Sequence, residues 1–89
     1  MSEDSPIEES IWYVYILECN DTTLYTGITN NLENRLHQHN HGKTAAKYTR
    51  VRRPVKLVYQ EEQENKSEAL KREYTIKKLS RIEKLRLIN

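Results

Sequence analysis

The segment Ile11–Cys19 most constrains the fold, because it carries apolar side chains on both of its faces. It is rich in aromatic and β-branched residues, which favour an extended strand. A strand that is apolar on both faces has to be covered on both. We therefore predict a central strand of a small sheet with helices packed on it.

A second short strand, Leu24–Thr29, follows the turn residues Asn20-Asp21-Thr22, so the two strands are predicted to form a β-hairpin. A loop of three residues places Tyr15 opposite Gly27, whereas a two-residue loop puts Tyr15 and Tyr25 on opposite faces. With the three-residue loop, four residues line one face of the hairpin: Tyr13, Tyr15, Tyr25 and Gly27.

Three helices are predicted from a recurring start signal, an Asn or Ser with Glu three positions later. The signal occurs at three positions: Asn30, Asn65 and Ser80. The predicted helices run from about 31 to 40, from about 66 to 79 and from about 81 to 88, and Gly42 is the expected C-cap of the first.

A third strand, Val55–Tyr59, is predicted after Pro54, with its alternate apolar side chains on one face. Residues 43–53 show neither the helical nor the strand period in their sequence pattern, and they are predicted to form a basic loop. The fold class is thus α/β (α+β), a three-stranded sheet built from a hairpin and a third strand. Three helices flank the sheet, in the order β-β-α-β-α-α.

Residues 1–10 are acidic and poor in apolar side chains, so we predict a disordered tail followed by one folded domain, 11–89. No apolar run approaches the roughly 18 residues of a membrane span, and the N-terminus lacks the pattern of a signal peptide. The single cysteine, Cys19, cannot form an internal disulfide. A cytoplasmic location without membrane contact is therefore expected.

Positive charge is concentrated between Glu33 and Glu61, where the chain has seven basic residues and no acidic one. Such segregation steers a polyanion to one region, although a solvated basic loop is the alternative. The candidate nucleic-acid-binding residues are Lys43, Lys47, Tyr48, Arg50, Arg52 and Arg53.

Tyr15, Tyr25 and Arg35 follow one another at intervals of ten residues. On the first helix, Arg35 and His39 are one turn apart beside leucines that pack on the sheet, so both should point towards the tyrosine face. Glu73 lies within the predicted apolar stripe of the second helix, formed by three residues: Ala69, Leu70 and Ile76. A carboxylate facing a core needs a partner, either a metal or a lysine at i+4, Lys77.

Four parts of the sequence together resemble the GIY-YIG nuclease module: Tyr13-Val14-Tyr15, Tyr25-Thr26-Gly27, Arg35 and Ala69–Glu73. Either tyrosine motif alone is a weak signal, but the set extends over about 11–79, nearly the whole folded part. The resemblance implies a divalent-metal-dependent endonuclease that hydrolyses DNA phosphodiester bonds in repair or recombination.

The run Arg35–Asn40, with residues 47–50 and 53–55, is most similar to the small stand-alone bacterial branch of this superfamily. Gln38-His39-Asn40 is also similar to the structure-specific nucleases that resolve branched DNA.

The sequence departs from the name-giving motifs at two positions, because Tyr13 replaces Gly and Thr26 replaces Ile. It departs from the excision-repair branch at two more, where Ile28 replaces a lysine and His39 replaces a tyrosine. The reacting tyrosines are retained.

The resemblance implies a role for each residue of the site. Glu73 is the protein ligand of a single Mg²⁺ or Mn²⁺, and Arg35 stabilises charge on the phosphorane. Either Tyr15 or His39 activates the attacking water, and Tyr25 positions water or phosphate. Two residues are structural parts of the motifs: Tyr13 and Gly27.

Two other classes of function remain open at this stage. The same fold and basic surface would serve a nucleic-acid-binding module that does not cut, and the acidic tail with the third helix would serve a protein-interaction adaptor. Substrate choice is expected to come from the basic loop or from a protein partner, and the chain is expected to be a monomer or a weak dimer.

Overall fold

The structure is a computed structural model that describes residues 11–43 and 46–89. The described residues form a three-stranded antiparallel sheet of order β2-β1-β3. Its strands are β1 (Trp12–Glu18), β2 (Leu24–Thr29) and β3 (Lys56–Gln63). The helices are α1 (Leu32–His41), α2 (Lys47–Arg50), α3 (Lys66–Lys77) and α4 (Arg81–Ile88). The predicted α+β fold is confirmed, and the predicted tail, 1–10, lies outside the described residues.

The β1–β2 hairpin closes over three residues, since the Cys19 amide donates to the Thr23 carbonyl at 2.8 Å. The Thr22 amide donates to the Cys19 carbonyl at 2.9 Å, and Thr22 has a φ of 68°. A type I turn followed by a left-handed residue is typical of three-residue hairpin loops. Tyr15 is consequently paired with Gly27, as predicted for a loop of three residues.

The side chains of β1 alternate between two apolar clusters on opposite faces of the sheet. Val14 and Ile16 are fully buried and pack with Ala69 and Ile76 of α3. The other face is covered by α1 and holds a second cluster: Tyr15, Leu17, Cys19, Val55, Leu32, Leu36 and Leu57. The predicted central strand is therefore confirmed.

A β-bulge interrupts the pairing of β1 with β3. Ile16 pairs with Tyr59 and Leu17 pairs with Leu57, which leaves Val58 as an extra residue. Because Ile16 and Leu17 face opposite sides of the sheet, Leu57 and Tyr59 do too. The prediction that the apolar residues of the third strand share one face is therefore wrong for Tyr59.

The predicted caps of the later helices are present, because the side chains of Asn65 and Ser80 accept hydrogen bonds from the first turns of α3 and α4. The cap of α1 is Asn31 rather than the predicted Asn30, and its Oδ1 accepts from the Asn34 amide at 3.0 Å. Helix α1 ends at Gly42, as predicted.

The segment predicted as an irregular basic loop contains the one-turn helix α2. Helix α3 ends two residues earlier than predicted. Across the part of the chain that the structure describes, no helix has both the length and the apolar character needed to span a membrane.

Candidate active site

The phenol of Tyr15 lies between the central strand and helix α1 and is 2% exposed. Its ring passes over the backbone of Gly27 on the neighbouring strand. A Cβ at position 27 would lie 2.6 Å from the phenol oxygen, which is closer than any two such atoms pack. Gly27 is thus needed for the space that its missing side chain leaves. Tyr13, the other residue of the first motif, pairs with Thr29.

His39 of α1 is fully buried and contacts both tyrosines of the site. Its Nε2 lies 2.8 Å from the Tyr15 oxygen, and its ring packs edge-on against Tyr25 with centroids 5.3 Å apart. Burial, and after it the charges of Arg35 and Arg53, lower the pKa of His39 to about 4. His39 is therefore a neutral imidazole at physiological pH.

Thr49 of α2 contacts the other ring nitrogen of His39, with 2.7 Å between Oγ1 and Nδ1. Thr49 is fully buried, and its hydroxyl also lies 3.0 Å from the carbonyl oxygen of Ala46. The sequence assigned no role to this residue, although residues 47–50 are part of the resemblance to the small stand-alone branch. The contact depends on the turn of α2, which was not predicted.

Arg35 lies half-buried beside Tyr15, and its Nη1 donates to Gln38 Oε1 at 2.9 Å. Burial, and to a smaller extent the charges of Tyr25 and Glu73, raise the pKa of Tyr15 to about 12, although the nearby Arg35 guanidinium acts in the opposite direction. The phenol is thus protonated in the site as it stands.

Tyr25 is connected to the protein surface through Tyr48. The two rings stack with centroids 6.0 Å apart and an interplanar angle of 27°. The Arg52 guanidinium carbon lies 3.8 Å from the centroid of the Tyr48 ring, and Arg52 Nε donates to Asp21 Oδ2 at 3.0 Å. Tyr48 is 37% exposed. An aromatic and cationic column therefore runs from His39 to solvent.

Arg53 caps the C-terminal end of α1. Its guanidinium donates to the carbonyls of His39 at 2.6 Å, Gln38 at 3.2 Å and Gly42 at 2.5 Å. This structural function was not anticipated for a residue predicted to bind nucleic acid. Three of the four other basic candidates are exposed on the same segment: Lys43, Lys47 and Arg50. The fourth, Arg52, is partly buried.

Glu73 lies on α3, the helix that covers the face opposite to α1. Its side chain is 18% exposed, and its Oε2 lies 3.2 Å from Lys77 Nζ. The i+4 partner considered from the sequence is thus present. Leu70 is 46% exposed and lies outside the buried stripe, which corrects the prediction for that residue. The charge of Glu73 nevertheless reaches Tyr15, since it raises the pKa of that phenol.

A metal site built from several protein ligands is not found in residues 11–43 and 46–89, where no group of three or more His, Cys, Asp and Glu could hold an ion. A single partly exposed carboxylate such as Glu73 fits Mg²⁺, which often takes one or two carboxylates and keeps several waters. The residues present therefore fit one hydrated ion at Glu73.

Residues 11–86 match the family described as the GIY-YIG catalytic domain. The chain belongs to the GIY-YIG family. It is 64% identical over 76 residues to a UPF0213 protein of Syntrophus aciditrophicus, a match that covers 85% of this chain and 87% of that protein. It is 65% identical over 77 residues to a UPF0213 protein of Clostridium perfringens, covering 86% and 82% of the two chains.

Two proteins with solution NMR structures resemble this fold. The UPF0213 protein BH0048 from Bacillus halodurans is 46% identical with a TM-score of 0.56, and the match covers 88% of this chain and 82% of that one. The protein EF2693 from E. faecalis is 42% identical with a TM-score of 0.57, covering 83% and 78%. The predicted family and its branch of small bacterial proteins are confirmed.

Proposed function

We propose that this chain is a divalent-metal-dependent endonuclease that hydrolyses phosphodiester bonds of DNA. The observation that carries the proposal is the contact of Tyr15 and Tyr25 with His39, beside Arg35, in a chain of the GIY-YIG family. Family membership supports a nuclease-like fold that binds nucleic acid. The buried contacts support the proposal because they bring together groups that can transfer a proton and stabilise negative charge.

Arg35 and the two tyrosines have separate parts in this reaction. The Arg35 guanidinium stabilises the negative charge that develops on phosphorus oxygens, an effect worth about 2–4 kcal/mol. Tyr15 takes a proton from the attacking water, and Tyr25 holds the water or a phosphate oxygen. Because the pKa of Tyr15 is about 12, the phenol has to release its own proton as it accepts another. His39 Nε2, 2.8 Å away, is the adjacent acceptor.

Glu73 would hold the metal ion through its partly exposed carboxylate. A bound Mg²⁺ or Mn²⁺ supplies charge neutralisation at a phosphate oxygen and at the leaving oxygen. Lys77 takes the place of that positive charge in the structure described here, at 3.2 Å from the carboxylate. Its exposed side chain is free to turn towards solvent when a stronger cation arrives, since it is 53% exposed.

The exposed basic segment between α1 and β3 is the proposed DNA surface. Lys43, Lys47 and Arg50 would contact phosphates, and Tyr48 would contact a base or sugar at the mouth of the site. The proposed setting of this reaction is DNA repair or recombination in the cytoplasm. The same segment, or a protein partner, would direct the chain to that DNA.

A second candidate is a nucleic-acid-binding module of the same fold that does not cut. It is favoured by one observation, the ion pair that already satisfies Glu73 with Lys77. If that pair persists on DNA, the carboxylate is unavailable to a metal and the site only binds.

Cleavage of linear, single-stranded and branched DNA with Mg²⁺ or Mn²⁺ separates the two candidates. Glu73→Gln and Arg35→Ala should each lower the rate by about 10²–10³-fold. Glu68→Gln is the control, because Glu68 lies on the same helix and pairs with Lys71 at 3.3 Å, in an ion pair that is more exposed than that of Glu73. Wild-type binding without turnover in either metal would favour the second candidate. Equal turnover by wild type and both variants would reject the proposed roles.

A further inference from the structure

We propose that Thr49 is a positioning residue that fixes the tautomer of His39, so that Tyr15 is the hydrogen donor in their contact. The proposal rests on the proposed nuclease function and deepens it, because it defines the direction in which the site moves a proton. It assigns a function to a buried threonine outside both tyrosine motifs.

A chain of hydrogen bonds runs from Tyr15 through His39 and Thr49 to the Ala46 carbonyl. This carbonyl can only accept a hydrogen bond, so it sets the direction of the whole hydrogen-bond chain. The Thr49 hydroxyl oxygen lies 3.0 Å from that carbonyl oxygen. Two oxygens at this distance repel each other unless a proton lies between them, so Thr49 donates its single proton to Ala46. The Thr49 oxygen is then an acceptor, and His39 Nδ1 at 2.7 Å has to be the donor.

A neutral imidazole carries one N–H, so a proton on Nδ1 leaves a lone pair on Nε2. Tyr15 therefore donates to His39 Nε2 across their 2.8 Å contact. The reverse tautomer would place an N–H against the phenol oxygen. Before DNA and the attacking water bind, the Tyr15 proton would then lack an acceptor, because Tyr15 is 2% exposed. Both ends of the chain thus select the same tautomer.

This arrangement leaves the lone pairs of the Tyr15 oxygen free to accept a proton. As the O–H bond of the attacking water breaks, a new O–H bond forms on Tyr15, and the original Tyr15 proton passes to His39 Nε2. Tyr15 stays neutral throughout, while His39 becomes an imidazolium that still donates from Nδ1 to Thr49. The proton later returns to solvent or to the leaving oxygen. A free phenolate is never required.

The tautomer can be read directly from the ¹⁵N chemical shifts of the His39 ring in the full chain, with no dependence on activity. We expect a protonated Nδ1 and an unprotonated Nε2 in the wild type and in Thr49→Ser, and a reversed or mixed tautomer in Thr49→Val. Thr26→Val is the matched control. Thr26 is 3% exposed, and within the described residues its hydroxyl has no hydrogen-bond partner, so removing it should leave the His39 shifts unchanged.

The expected functional effect is a fall in kcat of about 10- to 100-fold for Thr49→Val, with little change in KM, and recovery in Thr49→Ser. A wild-type His39 with its proton on Nε2 overturns the proposal, even if the protein cleaves DNA. Equal losses in the valine and serine variants, or wild-type kcat in a folded Thr49→Val with a reversed tautomer, also overturn it. A wild type with the expected tautomer but without cleavage rejects the nuclease function and leaves the hydrogen-bond assignment confirmed.

Discussion

The ring of Tyr15 fills the space in which any residue other than glycine would place its Cβ at position 27. The two residues are directly paired across β1 and β2, and the phenol oxygen would lie 2.6 Å from that Cβ. The phenol cannot move aside easily, because its oxygen is held by His39. The motif that ends in Gly27 therefore leaves a space, and the Tyr15 phenol of the other motif fills it.

Replacing Gly27 with alanine should displace the Tyr15 phenol from His39. We expect activity to fall by at least about 100-fold and the free energy of unfolding to fall by about 1–3 kcal/mol. Gly42→Ala is the control, because a Cβ there would meet the Gln38 carbonyl oxygen at 2.9 Å, away from the tyrosines. The Gly42→Ala variant should lose a similar amount of unfolding free energy but keep most of its activity per folded molecule. Full activity of Gly27→Ala would contradict the packing described here.

Removing the Tyr15 hydroxyl should affect both activity and stability. In Tyr15→Phe the buried Nε2 of His39 loses its partner, which should cost about 1–3 kcal/mol of unfolding free energy. The cleavage rate should fall by about 10²–10⁴-fold, since the water loses its proton acceptor. Tyr74→Phe, at a residue that is 64% exposed, should change neither measurement. Urea unfolding and a cleavage assay on both variants test this directly.

Stability should fall as the pH is lowered through the range in which His39 would titrate in the unfolded chain. The folded pKa is about 4 and the ordinary value is 6.5, so between them the unfolded state binds a proton that the folded state does not. The stabilisation is complete above about pH 6.5 and is lost as the pH falls towards 4. The loss in unfolding free energy between pH 7.5 and pH 5 is about 2 kcal/mol.

His39→Gln should remove most of that dependence, because no imidazole is left to protonate. The charged and titratable groups that face His39 are Tyr15 from β1, Tyr25 from β2, Arg35 from α1 and Arg53 from the segment before β3. Urea unfolding of wild type and variant at pH 7.5 and at pH 5 gives the difference. An equal loss in both would assign the effect to other groups.

Arg53 and Arg50 are both basic residues of the segment before β3, but they should behave differently. Arg53→Gln removes donors from three carbonyls at the end of α1 and should cost about 1–3 kcal/mol of stability. Arg50→Gln, at an exposed position, should leave stability unchanged. It should reduce the slope of log binding constant against log salt by about 0.7–0.9 if Arg50 contacts a phosphate. An unchanged salt dependence would show that Arg50 is not part of the proposed DNA-binding surface.

Lys77 should oppose metal binding at Glu73. Its ammonium lies 3.2 Å from the carboxylate, so an incoming ion has to displace it. Lys77→Gln should therefore tighten Mn²⁺ binding by several-fold, an effect of roughly 1 kcal/mol for a partly exposed ion pair. Titration calorimetry of Mn²⁺ into wild type, Lys77→Gln and Glu73→Gln measures it. Weaker binding in Lys77→Gln would argue against Glu73 as the ligand.

Much of the hairpin and of the site was predictable because its signals are local. The register of Tyr15 with Gly27 follows from loop length, and the approach of His39 to the tyrosines follows from its position one turn after Arg35. Both depend on the fixed periods of strands and helices, which a sequence displays directly.

Other features depend on contacts between distant segments that no period encodes. The bulge at Val58 inverts the rest of β3, so Tyr59 faces the side opposite to that predicted. The contact of Thr49 with His39 depends on a single turn of helix in a basic segment. Leu70 was expected in the buried stripe of α3, but it is 46% exposed.

The placement of the phenol on β1 has a consequence for the dynamics of the chain. That strand is hydrogen-bonded to a neighbour along both edges and is sealed by an apolar layer above and below. Its amides should therefore exchange with deuterium only when the whole molecule opens. A nuclease organised in this way would not lose its reacting group by local fraying, and its working lifetime would equal the lifetime of the native state itself.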